Sequence, residues 1–64
     1  MMTYKEITAC TDEELRAALE KNRNADWDLS MKDRWTWADR DYAREIECEY
    51  MWIVNEMKKR GMEV

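Results

Sequence analysis

Two cysteines, Cys10 and Cys48, and fifteen carboxylates are the only plentiful reactive groups in this 64-residue chain, which has no His. Without His, neither a zinc constellation nor a nucleophile–imidazole pair can be assembled, and two Cys make no disulfide framework. Cys48 stands among Glu45, Glu47 and Glu49, where neighbouring negative charge disfavours the thiolate a nucleophile needs. The run Asn24-Ala25-Asp26-Trp27-Asp28-Leu29-Ser30 offers oxygens at calcium-loop spacing. With Asn24, Asp26 and Asp28 in positions 1, 3 and 5, however, Leu29 falls where Gly is required and Trp35 where Glu is required. No Gly-rich phosphate loop, GxSxG or HExxH occurs. The expectation is a protein without catalytic residues, cofactor or metal.

What remains is recognition chemistry. The segment from Met31 to Arg44 interleaves Lys32, Arg34, Arg40 and Arg44 with Trp35, Trp37 and Tyr42, the ingredients of phosphate contact and base stacking. Asp33, Asp39 and Asp41 dilute that signal, and the net charge of −4 lacks the basic excess of a sequence-independent nucleic-acid binder. The four Trp, three Tyr and six Met are equally the residue types that anchor protein interfaces.

The elements that must position these residues are helical. Pro is absent and Gly occurs once, at position 61. Thr11 with Glu14 spells a capping box, Cys10 and Leu15 hold the staple positions, and a helix is expected over about 12–23. Residues 1–10 form an arm that Tyr4 and Ile7 can dock. The Asn- and Asp-rich stretch 24–29 reads as the interhelical loop, and Ser30 as the cap of a long helix over about 30–60. Gly61 suits the position after its last turn. Thr36 with Asp39 spells another capping box, so a kink, or a break into 30–35 and 37–60, is the alternative.

At 100° per residue Met31, Trp35, Tyr42, Ile46, Tyr50, Ile53 and Met57 share one face. A helix of 12 residues covers less than half of one of 30, and a chain this short buries little apolar surface by itself. The expectation is an all-α helical-hairpin homodimer, one domain over 1–64. Trp35, Tyr42, Ile46, Tyr50, Ile53, Val54 and Met57 are its expected interface. Trp37, Arg40, Arg44, Met51 and Trp52 lie outside that stripe and form a candidate surface for a further partner. The rival reading is a dimeric nucleic-acid-binding module using Lys32, Arg34, Arg40 and Arg44 with Trp37. No stretch has the length of a membrane span or the core of a signal peptide, so the expected setting is the cytoplasm, with no membrane partner.

From "MTYKEITACTDEELRAALEKNR" to "WADRDYAREIECEYMWIVNEMKKRGMEV", the chain resembles the small early open-reading-frame products of lambdoid phages. These are encoded between the exonuclease and excisionase genes. The doubled Met1-Met2 fits a start at Met2 behind an added Met. The resemblance spans the full length and implies a small, non-catalytic accessory protein of the host cytoplasm. Such a protein would contact a host or phage protein and influence the lysis–lysogeny choice or host physiology. The family supplies no functional residues to carry over.

Overall fold

The structure, a computed structural model, describes residues 2–64; Met1, and with it the reading of an added Met, lies outside them. The described residues are 75% helical and contain no strand. Three helices follow one another: α1, Tyr4–Thr8; α2, Asp12–Ser30; and α3, Trp37–Lys59. Each begins with the same local device. Thr3, Thr11 and Thr36 are N-caps in extended backbone, and each completes a capping box with the acidic residue three positions on, Glu6, Glu14 and Asp39. Two otherwise unpartnered backbone donors are thereby satisfied at every helix start.

The boundaries differ from those expected, and the reasons are local. Residues 24–29 are helical, so α2 runs 19 residues rather than 12 and the connection is 31–36. Nothing in 24–29 breaks a helix. Its Asn and Asp side chains are exposed, so they cost only propensity. Ser30 closes α2 instead of opening the next helix, since its hydroxyl donates to the Trp27 carbonyl at 2.7 Å. The expected single helix over 30–60 is therefore absent. Of the alternative break into 30–35 and 37–60 only the second helix forms, starting after the capping box at Thr36, while 31–36 is not helical. In the arm, α1 is a short helix docked by Ile7.

At the far end, α3 stops as Gly61 required. Gly61 has φ +75°, a left-handed conformation that a Cβ would strain. It lets the Gly61 N–H reach the Lys58 carbonyl at 3.0 Å and the Met62 N–H reach that of Met57 at 2.8 Å. This is a Schellman closure, and Met62 packs on the core beside it.

α2 and α3 lie antiparallel, with α1 leaning mainly on α3. The main core is confined to the α1 end: Ile7, Leu15, Leu19, Ile53 and Met57 are buried together, with Cys10, Ala18, Trp52, Val54 and Met62 partly buried around them. Towards the 31–36 connection only Leu29, Ile46 and the polar Asn22 are buried. Asn22 Nδ2 donates to the Ile46 carbonyl at 2.9 Å and to Glu49 Oε1 at 3.0 Å, and the Met2 N–H donates to the other oxygen of Glu49 at 2.8 Å. One carboxylate thus ties the arm, α2 and α3 together.

Arg60 fastens the opposite corner. Its guanidinium donates to the carbonyls of Cys10 at 2.7 Å and Thr8 at 3.1 Å, and pairs with Asp12 and Glu56. The two carboxylates hold its charge, pushing its pKa up from the ordinary value.

The burial of Ile53 therefore comes from within the chain, against the expectation that a second subunit supplies it. α1 and the N-terminal half of α2 cover it, leaving it 0% exposed. Ile53→Ala is expected to lower the unfolding free energy by about 2–5 kcal/mol, the usual range for truncating a buried aliphatic side chain. Denaturant titration followed by circular dichroism measures it. A loss below about 1 kcal/mol, the level of a loosely packed site, would contradict this core.

Candidate interaction groove

Two aromatic and three guanidinium side chains meet where the core ends. An open groove of about 820 Å³ runs between α2 and α3 towards the connection. Trp35 and Tyr50 flank the buried Ile46 and the small Ala43, while Arg23 and Asp26 stand on the α2 wall and Arg40, Arg44 and Glu47 on that of α3. The cause is the uneven distribution of bulk. α1 supplies a third helix only at the other end, so here two helices alone flank Ile46 and no side chain fills the space between them.

Trp35 is positioned rather than loose. Its indole Nε1 donates at 2.9 Å to the Leu29 carbonyl at the end of α2, which also accepts the Lys32 N–H at 3.2 Å. The connection is fastened a second time by Lys32, whose ammonium lies 2.8 Å from Asp39. Asp39 also accepts the Thr36 N–H at 3.0 Å. The bond from Lys32, then that from Thr36, holds the Asp39 carboxyl below the usual range. Arg40 sits over the Trp37 ring at 5.3 Å, a cation–π contact on the outer side of α3. Among the described residues Arg23, Arg40 and Arg44 make no ion pair.

The residues singled out from sequence are thus redistributed. Of the expected dimer face, Ile46, Ile53 and Met57 are buried inside the chain and Val54 is partly buried on the core. Trp35 and Tyr50 stay 44% and 38% exposed at the groove. Tyr42 belongs to the other side of the helix pair. There it lines a smaller cavity of about 240 Å³ with Met2, Ala18, Ala25 and Glu49. Of the candidate partner surface, Arg40 and Arg44 join the groove, while Trp37 and Met51 are exposed on the outside of α3. Trp52 departs from that group: its ring meets Tyr4 of α1 edge-on, with centroids 6.0 Å apart.

Sequence reasoning missed Asn22, Arg23 and Asp26: Asp26 fell in the loop assigned to 24–29, and Asn22 and Arg23 stood in the last turn of a helix taken to end at 23, with nothing beyond it to face. The signal was present in the spacing Leu15, Leu19, Asn22, Asp26, Leu29, which alternates four and three and continues straight through the supposed loop.

Among the described residues no three His, Cys, Asp or Glu side chains group to hold a metal ion, and no helix is long and apolar enough to cross a membrane. The free thiol of Cys10 is pushed up by burial and by the Glu14 carboxylate, and it donates to the Glu6 carbonyl; Cys48 is exposed. Comparison with protein-family models, with characterised proteins and with solved structures finds no match to this chain.

The geometry at Asp39 fixes a pH dependence. A carboxylate with a lowered folded pKa contributes stability that is complete above its unfolded value and is lost as pH falls through the folded one. Glu14 behaves alike, lowered by its bonds with Thr11. Wild type is therefore expected to lose stability progressively below about pH 4, the ordinary carboxylate value. Asp39→Asn should be less stable at pH 7 and show a shallower loss on acidification. Parallel acid titrations followed by circular dichroism compare the two, and equal slopes would contradict the role given to Asp39.

Proposed function

We propose that this chain is a non-catalytic accessory protein that acts by protein–protein contact, working as a homodimer in which the α2–α3 groove is the shared surface. The observation that carries this reading is the groove itself, with Trp35 and Tyr50 half-exposed around Ile46 and charges of both signs on its walls. In a two-fold arrangement each copy presents the same patch to the other, so a self-associating surface must be complementary to itself. Arg23, Arg40 and Arg44 beside Asp26 and Glu47 meet that demand, because the arginines of one copy can face the carboxylates of the other. The aromatic and Arg content is that of interface anchors.

The dimer would leave Trp37 and Met51 on the outside of α3, 81% and 57% exposed, as the contact for a host or phage protein. The resemblance to early phage products supports a regulatory role of that kind, in phage development or host physiology, in the host cytoplasm. The non-catalytic reading is supported by the lack of His and of any nucleophile–base pair in the sequence.

A nucleic-acid interface is the second reading, favoured by the three groove arginines that lack an ion pair among the described residues. Lys32, a member of the group first considered for that role, is committed to Asp39.

Sedimentation velocity tests the proposal directly. Wild type is expected to sediment as a dimer at micromolar concentration and to dissociate on dilution. Tyr50→Lys should weaken association about tenfold or more, some 1.4 kcal/mol, while keeping the helical spectrum. A variant that associates like wild type would remove the groove from the dimer. Tight, steeply salt-dependent binding of an oligonucleotide, lost in Arg40→Glu with Arg44→Glu, would favour the second reading instead.

A further inference from the structure

Residues 2–10 are joined to the rest of the molecule by a small set of contacts. α1 has five residues, far too few to be helical alone, and its one buried side chain is Ile7. Tyr4 touches Trp52 and remains 55% exposed. Met2 and Cys10 pack on the edge of the core, and the remaining ties are polar: the Met2 N–H to Glu49, and Arg60 to the carbonyls of Thr8 and Cys10.

The elements beneath keep polar partners of their own. The N-terminus of α2 is capped within α2 itself, by Thr11 and Glu14. Arg60 keeps Asp12 and Glu56, and Glu49 keeps Asn22, when the arm is gone. The released carbonyls of Thr8 and Cys10 pass to water, so no buried polar group is orphaned. Ala9 and Cys10 lie between the two helices and can act as the hinge.

We infer that α1 is a displaceable strap, detaching with its N-terminal arm as one unit while α2 and α3 stay packed, and that its departure opens a second interaction surface. Leu15, Leu19, Ile53 and Met57 would then be uncovered on the side away from the groove. They run on into the smaller cavity, where Ala18, Ala25, Tyr42 and Ile46 already stand and Met2 is the arm's own contribution. The partner this surface fits is a short amphipathic helix with one branched aliphatic anchor and a neighbouring aromatic residue. That is the chemistry it holds now, in Ile7 and Tyr4. The inference is independent of the dimer, because the strap and the groove lie on opposite edges of α3: Glu49 and Trp52 mark one, Arg40, Arg44 and Glu47 the other.

Amide hydrogen exchange of the full-length wild-type protein is the test, since local opening and global unfolding give different protection. The probes are the amides of Ile7, Ala9 and Cys10, which bond to the carbonyls of Thr3, Glu6 and Ile7, against that of Ile53 in α3. The strap amides should exchange at least about tenfold faster than Ile53. Ile7→Ser should abolish their protection, leave most of that at Ile53 and raise affinity for a synthetic peptide of residues 1–10 added in trans. Equal protection of Ile7 and Ile53 in wild type would overturn the strap. Loss of protection throughout α2 and α3 in Ile7→Ser would overturn it too, by making α1 part of the one cooperative unit. A detached arm with no gain in peptide binding would overturn the second surface.

Discussion

The fold depends on the contact of Ile53 and Met57 with Leu15 and Leu19 at one end of the helix pair, over which Ile7 of α1 is laid. This is the only sizeable apolar cluster among the described residues. It gathers two residues from α2 and two from α3, which hold the pair together, and one from α1, which holds α1 to the pair. The polar devices at that end serve the same contact. The Schellman closure at Gly61 turns Met62 onto the cluster, and Arg60 satisfies the carbonyls exposed where α1 gives way to α2. Without the apolar contact these bonds would have little to hold, because exposed ion pairs contribute little by themselves.

The other end is organised by a polar side chain. Asn22 takes a core position of α2, and its amide is satisfied only when the Ile46 carbonyl and Glu49 stand opposite. A one-turn slip of α3 would leave that amide buried without partners, so Asn22 specifies register at some cost in stability. The cost is visible as missing bulk. A short amide fills less space than a Leu would, and α1 does not extend this far, so the groove beside Ile46 stays open between Trp35 and Tyr50. The candidate site and the register device thus have one origin, a helix pair with a third helix over only part of its length.

The helical class and the positions of Thr11, Thr36 and Gly61 were legible in the sequence, because capping boxes and C-terminal glycines act through nearest neighbours and need no tertiary information. By the same rule Thr3 with Glu6 was legible and was passed over in a segment read as an arm. The loop placed at 24–29 failed for a different reason. Asn and Asp favour turns, but their preference is weak where the three-and-four spacing runs on to the buried Leu29 and nothing in the stretch breaks a helix. Ser30 illustrates the ambiguity of a hydroxyl at a helix end: the same side chain can cap a following helix or bond back into the preceding one, as it does here with Trp27. Where α1 lies was not legible, since five residues carry no periodic signal. Its placement moved Ile53 and Met57 from an expected interface to the interior. The groove was half legible: Trp35, Tyr50, Arg40 and Arg44 were named for two separate surfaces, and the break at Thr36 brings them to one.

The claim at the centre of this account is that two copies meet through the groove. Isotope-filtered nuclear Overhauser spectra of a mixed sample, half labelled and half unlabelled, report contacts between copies alone. Cross-peaks between copies are expected at the ring protons of Trp35 and Tyr50 and at the methyl groups of Ile46 and Ala43. Contacts between copies confined to Tyr4 and Trp52, or none at concentrations where the protein sediments as a dimer, would contradict the account.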